Sequence, residues 1–397
     1  MSRAEPVARP TASQATLWSL LIGNFVTGIG VLMPAGLLND LNAAFAQDAA
    51  TTGELIAYGA AVLFVEAPLL AFLTNRIDRR LLLTTALMVY AIGHFASAFA
   101  PNFATLLLIR VLMIGGAAVF TPQAASAVSV LVPPERRAAA VAFIFLGWPT
   151  ASAIGVPLAS LMGGYVGWSA AYLIMGGACT VAAIGVFFTL PAQLHVPRLS
   201  LATWRSVLTS GTITAILAVT LLFIAGQFTV YSYIAAELKS RFAAAPLLIS
   251  TLFAVYGIAG VVGSVVSANV IGRLGAAKTV SVHLAIVLIG LMLWSASGSI
   301  LSIAVAGLIA WGYGGGPSIS GQQARLIGAA PEAASASVAL NTSVLYAGQA
   351  SGAYIGGVLL SHTYPLWTGE QWMGVVSVLL LFAALCTSLA VRRWLRS

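Results

Sequence analysis

The sequence predicts an all-α membrane protein: twelve transmembrane helices in two pseudo-symmetric six-helix bundles. Three observations carry this. The 397-residue chain is 60% hydrophobic and only 7% charged, whereas a soluble domain is about a quarter charged. Its apolar residues fall into long runs separated by short polar connections. The second half also repeats landmarks of the first at a constant offset.

A hydrocarbon core of ~30 Å takes ~20 helical residues, and backbone groups in lipid must bond within the segment. On that basis the spans are 17–39, 52–74, 81–100, 103–130, 138–161, 169–190, 209–236, 247–270, 279–297, 299–323, 333–360 and 371–391. Residues 1–16 lack the apolar core of a signal peptide and read as a cytoplasmic tail. The first bundle is 17–190, the second 209–391. Between them lies a cytoplasmic loop, 191–208, and residues 392–397 form a cytoplasmic C-terminal tail. Cys179 and Cys386 lie inside apolar runs, so no structural disulfide is expected.

Lys and Arg in short loops mark the cytoplasmic side. With the N-terminus inside, Arg3, Arg9, Arg76, Arg79, Arg80, Arg136, Arg137, Arg198, Arg205, Arg273, Lys278, Arg325, Arg392, Arg393 and Arg396 fall on that side, and only Lys239 and Arg241 on the other. One missed span would scramble this split. The net charge of +8 therefore marks loops, not a basic face for nucleic acid.

A shift of 197 residues lays the chain on itself. Ala71 and Arg76 fall on Ala268 and Arg273, Ile92-Gly93 on Ile289-Gly290, and Gly115 on Gly312. Pro134-Glu135 falls on Pro331-Glu332, Val141-Ala142 on Val338-Ala339, and Gly155 on Gly352. The Arg and Pro-Glu matches are the informative ones in so Ala- and Gly-rich a chain. Two parallel six-helix halves follow, as in duplicated transporter bundles.

The loop after span 2 reads AFLTNRIDRR. With Arg110 followed by GGAA at 115–118, and GWPTASAIGVPLASLMGGYVGW at 147–168, it resembles the signature motifs of the major facilitator superfamily. PAGLL (34–38), APLLAFLTNR (67–76), LVPPERR (131–137) and GVPL (155–158) are most similar to its bacterial twelve-helix sugar- and drug-efflux proton antiporters. The resemblance implies that Asn75, Arg76, Asp78, Arg79, Arg80 and, in the second half, Arg273 belong to gating loops. Asn75 stands where the family has an acid that meets the positive end of helix 11. An amide accepts more weakly than a carboxylate, so the gate is weaker or Asp78 shares the task. The Arg residues also suit plain topology anchors.

Ionisable groups at bilayer depth are functional candidates by default. Glu66 lies ten residues before Arg76, ~15 Å along a helix, and so near the midplane. It suits a proton-coupling site, protonated in one state and ionised in the other. Arg110, which matches the helix 4 motif, is the second candidate. Both residues also suit structural contacts, paired or apart. Relatives carry an acid in helix 1 where Val31 stands here, so coupling either moved to Glu66 or differs. His94 and His283 titrate near neutral pH when free, though a lone intramembrane His is more often a packing residue.

The resemblance places substrate between the bundles, on helices 1, 4, 7, 10 and 11. Candidates are Asn24, Gln123, Gln227, Tyr231, Tyr233, Gln322, Gln323, Asn341, Tyr346 and Gln349, each equally suited to bonding helix to helix. The set is neutral, which suits a sugar or a lipophilic, drug-like cargo better than a polyanion. Gly147, Pro149, Gly155, Pro157, Gly163 and Gly164 interrupt span 5; the antiporter resemblance sets this helix at the seam, and close packing alone uses the same residues.

No Walker loop, metal-spaced Cys/His set or hydrolase motif is present. Neither cofactor nor metal is expected, and the chain is read as a non-enzyme. The expected partners are a small-molecule substrate, protons and the lipid bilayer, without nucleic acid and as a monomer. The reading is proton-coupled efflux by alternating access in a bacterial inner membrane, with uptake or uncoupled facilitation as the alternative.

Overall fold

The computed structural model describes residues 13–74, 76–133, 136–195, 201–330 and 333–394. All regular structure among them is helical. Twelve long helices follow in order: α1 Gln14–Gly36, α2 Ala49–Leu73, α3 Arg79–Ala98, α4 Phe103–Leu131, α5 over 137–166, α6 Trp168–Thr189, α7 Gly211–Tyr231, α8 Pro246–Leu274, α9 Ala276–Ala296, α10 Leu301–Ala329, α11 Ala334–Ser361 and α12 Gly369–Trp394. Ten are long and apolar enough to cross a membrane by length and composition. The other two, α10 and α11, have 29 and 28 residues but dilute their apolar content with Gly, Ser, Asn and Gln. Large apolar side chains such as Val65, Ile92, Leu112, Val181, Phe188, Ile289 and Phe382 point outward from the bundles, too wide an apolar surface for a monomer in water.

Side-chain caps start several helices by occupying first-turn N–H groups. Ser13 accepts from Thr16 N, Asp48 from Thr51 N, Asp78 from Leu81 N, Asn102 from Thr105 N and Ser210 from Ile213 N. α5 is interrupted by one π turn, Ala151–Gly155. Pro157 follows it; a proline lacks the N–H for the carbonyl four residues back and crowds it, and a widened turn relieves that crowding.

The packing obeys the duplication. α3 packs on α4 and α6, α2 on α4, and α1 on α5 and α6; likewise α9 packs on α10 and α12, α8 on α10, and α7 on α11 and α12. Between the bundles α2 packs on α11 and α8 on α5, two contacts that the same shift interchanges. The short helices Leu38–Phe45 and Ile234–Phe242 are also counterparts. Each ends in an alanine forced into the left-handed region, Ala46 at φ 51° and Ala243 at φ 47°.

The acidic end carries Asp40, Asp48, Glu54, Glu237 and Glu370; the basic end carries Arg76, Arg79, Arg80, Arg137, Arg273 and Lys278. Toward the acidic end the seam is tight: Asn39 Nδ2 donates to the carbonyl of Ala235 at 2.7 Å, and Ser250 to that of Pro157 at 2.8 Å. α8 packs on residues 147–166 of α5.

The structure corrects several expectations. The seventh span, placed at 209–236, stops at Tyr231, and the chain turns through Ser232 into a separate short helix. The connection 191–208 is not all loop, because Leu201–Thr209 is helical. α8 and α10 run past the expected 270 and 323, to Leu274 and Ala329. Arg325, expected in a loop, is consequently inside α10 and buried.

Candidate substrate and coupling site

In the first bundle Arg110 is 2% exposed. Its Nη1 donates to Gly30 O at 2.7 Å, Nη2 to Val31 O at 2.8 Å and Nε to Leu55 O at 3.4 Å. The guanidinium fork thereby ties α4 to α1 and α2 through carbonyl dipoles, geometry that suits Arg and not Lys. Glu66 forms no ion pair with it; the described residues contain one ion pair, Glu237–Arg241. Glu66 is half-buried, with Oε2 buried and unbonded against Gly115 of α4, where an added Cβ would stand 2.8 Å from that oxygen. One face of the carboxyl is thus dry and the other open.

His94 is fully buried between Tyr90 and Tyr172, ring centroids 4.6 and 5.7 Å away, and neither ring nitrogen is bonded. His283 bonds the Thr279 carbonyl at 2.8 Å and stacks on Tyr313. Asn24 is buried beside Gly147 of α5 with both amide atoms unpaired. Gln123 is buried on α4.

The second bundle holds a larger polar network. Trp311 Nε1 donates to Gln227 Oε1 at 2.8 Å. Around it Tyr231, Tyr256, Phe253 and Phe228 pack ring to ring, and the rings of Tyr231, Tyr256 and Trp311 stand 5.2–6.2 Å apart. The Tyr231 hydroxyl is buried and unbonded, and Ser152, in the π turn of α5, lies near it across the seam. Deeper toward the basic end, Thr220 donates to Asn341 Oδ1 at 2.8 Å, and Gln322 to Ile216 O and Thr220. Arg325 Nη1 reaches Gln322 Oε1 and Ser388, leaving Nε and Nη2 unpaired. Gln349 and Tyr346 are buried, Tyr346 within the first bundle's core, and Gln323 is half-exposed. α7, α10 and α11 therefore converge on Gln227, Gln322 and Asn341.

Tyr233, the remaining cavity candidate, is not on α7. It lies beyond α7, 1% exposed, wedged between Gly53 of α2 and Gly356 and Gly357 of α11, its hydroxyl donating to Ala353 O at 2.8 Å. It belongs to the seam at the acidic end.

Asn75 lies outside the described residues, as do Arg3, Arg9, Arg198, Arg396 and the Pro-Glu pairs; the Arg392 and Arg393 side chains are also undescribed. Asp78 does not reach α11. Its Oδ1 caps α3, and its Oδ2 accepts from Leu194 N at 2.7 Å. Arg79 donates to Thr74 O and Ile77 O within its own loop, and Arg80 lies 4.0 Å over the Phe187 ring. Arg76 and Arg273 are exposed at the basic end. In α5, Gly147 and Gly155 receive α1, Gly163 receives Leu37 and Asp40, and Gly164 receives Pro246 of α8. Pro149 and Pro157 flank the π turn.

Sequence reasoning missed Trp311, Tyr256, Thr220, Ser152 and Arg325. Trp311 and Tyr256 carry no motif that sets them apart from other aromatic residues in apolar runs, and Arg325 read as a loop anchor. Among the described residues no three His, Cys, Asp or Glu side chains cluster as a metal set; Cys179 and Cys386 are free thiols.

Two duplicated six-helix bundles, meeting at α2–α11 and α5–α8 around buried neutral polar groups, define a membrane carrier. The sequence model of the Major Facilitator Superfamily matches residues 20–236, and the chain belongs to that family, whose members are transporters and not enzymes. It is 28% identical over 349 residues to the inner membrane transport protein YdhP of Escherichia coli O157:H7, covering 87% of this chain and 88% of that one, and 27% identical over the same span to YdhP of Escherichia coli strain K12. The fold is similar to that of the peptide transporter POT (TM-score 0.77, 15% identity, 94% of this chain and 93% of that one). It is also similar to a bacterial homologue of the human lysosomal transporter Spinster (TM-score 0.74, 16% identity, 96% and 97%).

Proposed function

We propose that this transporter exports a small neutral or lipophilic molecule, a sugar or a drug-like compound, across a bacterial inner membrane in exchange for protons. The basic end faces the cytoplasm together with both termini, a placement that the Lys and Arg asymmetry supports. The name of YdhP in Escherichia coli supports the inner membrane. Cargo binds between the bundles against Gln227, the Tyr231 ring cluster and Asn341, groups that offer amides and ring faces and no acid.

Glu66 carries the proton. The supporting observation is its carboxyl, with one oxygen buried and unbonded against Gly115 and the residue half-open. Such a group gains when protonated in the occluded state and can release its proton when its open face meets water. An uncoupled carrier is the second reading, because Val31 of α1 cannot titrate and Arg110 is satisfied by carbonyls.

Inside-out vesicles with an imposed pH gradient test this. A panel of sugars and lipophilic drugs is added and proton release followed, wild type against Glu66→Gln at equal expression. A compound that discharges the gradient in wild type and not in Glu66→Gln supports the reading. Equal discharge by both removes Glu66 from the coupling path.

A further inference from the structure

At the acidic end, away from the central site, the second bundle buries a carboxyl that transport through the centre does not use. Glu237, in the short helix Ile234–Phe242, is 3% exposed. Its Oε2 accepts from Arg241 Nη1 and from Trp294 Nε1, each at 2.9 Å. Among the described residues none donates to its Oε1. The residue lines a cavity of about 240 Å³ with Arg241, Trp294, Ser295, Thr368 and Glu370. Arg241 is held in turn by Trp294 O, Gly298 O and Ser297 Oγ.

The helix that carries Glu237 is also the second bundle's share of the closed seam. Tyr233 starts it, filling the α2–α11 contact, and Ala235 O receives the Asn39 amide from the first bundle. Opening this end must break that bond. Its counterpart under the 197-residue shift is Leu38–Phe45, where Asp40 stands in the place of Glu237. The duplication thus sets one carboxyl on each short helix of the gate.

We propose that Glu237 is a proton-binding residue of the gate at the acidic end, reached from outside through its cavity, and that a proton on it holds the gate closed. The proposal rests on alternating access and is independent of Glu66. The charged groups around Glu237 are Arg241 on its own helix and Glu370 from α12; Lys239, also on that helix, acts on Asp40 of the first bundle, and α9 contributes the neutral Trp294. Burial pushes the Glu237 carboxyl up to about 7, with Glu370 adding to the rise and Arg241 opposing it. Burial also raises Asp40, against its own backbone N–H and Lys239.

The sign follows. The closed gate binds the proton more tightly than an open, hydrated one. Closure is therefore favoured below about 7 and weakened as outside pH rises through that value. Below the ordinary carboxylate range of ~4.3 both states are protonated and no further change accrues.

The test is a distance measurement in the full chain in liposomes. Spin labels go on Ala43→Cys and Ala245→Cys, both exposed at this end on opposite bundles, with Cys179 and Cys386 replaced by alanine. In wild type the short-distance population is expected to rise several-fold as outside pH falls from about 8.5 to about 5. Glu237→Gln should stay short at every pH. Glu370→Gln should keep the response with its midpoint moved down, because a repelling charge is gone. A wild type without a pH response overturns the proposal. So does a Glu237→Gln that still responds to pH. If Glu237→Gln does not fold, the Glu370→Gln midpoint decides: unchanged, it overturns the proposal.

Discussion

The ring of Tyr233 occupies the space that Gly53 leaves empty. An added Cβ on Gly53 would meet the Tyr233 hydroxyl, which already donates to Ala353 O. One aromatic side chain from the second bundle therefore sits between α2 and α11 and depends on a missing side chain in the first. Gly53→Ala should force the seam apart at the acidic end at a cost of ~1–3 kcal/mol, a shift of roughly tenfold or more toward the open gate. Labelling of a cysteine at Leu38, now fully buried, should speed up accordingly. The pairing of Tyr233→Ala with Gly53→Ala should relieve the clash.

The equivalent seam makes a parallel prediction. A Cβ on Gly257 of α8 would meet the backbone of Ala153 in the π turn of α5. Backbone cannot swing aside as a side-chain tip can, so Gly257→Ala should impair closure more than Gly164→Ala, whose neighbour is the Pro246 ring. Transport rates of the two variants at equal expression check this order.

Arg110→Lys keeps the charge and loses the fork. One ammonium cannot serve Gly30, Val31 and Leu55 together. Hydrogen bonds from charged donors contribute about 1.5–3 kcal/mol each. The variant should melt earlier in detergent and transport at least tenfold more slowly.

Thr220 and Asn341 join α7 to α11 at 2.8 Å. Thr220→Val and Asn341→Leu should couple in a double-mutant cycle by about 0.6 kcal/mol, within a ceiling of ~1.7 kcal/mol for such bonds in membranes. Strict additivity of the two effects would show that the bond is not made in lipid.

Trp311→Phe frees Gln227 Oε1 from the indole N–H. If that amide faces cargo, the apparent KM should change by roughly fivefold, the ~1 kcal/mol of one hydrogen bond, with the maximal rate little altered.

The helices were legible because lipid leaves the backbone no alternative, and ten of the twelve need nothing but length and apolar composition. The duplication was legible through Arg76 and Arg273, and the structure adds Ala46 and Ala243, whose shared left-handed backbone no composition reveals. Side-chain direction was not legible. Tyr233 and Tyr231 are two residues apart, yet one fills a seam and the other joins a ring cluster, because the helix ends between them. Arg325 read as a loop anchor because its helix runs six residues past the last position assigned to the span. Glu237 drew no reading from the sequence. Its burial depends on Trp294 and Arg241 folding over it, contacts from elements 57 and four residues away.

The most direct measurement is paired transport by Glu66→Gln in proteoliposomes, once with a pH gradient and once as cargo counterflow with none. The account predicts that counterflow persists near the wild-type rate while gradient-driven accumulation is lost, because the carrier still rocks and no longer carries the proton. Gradient-driven accumulation at the wild-type level in Glu66→Gln would contradict it.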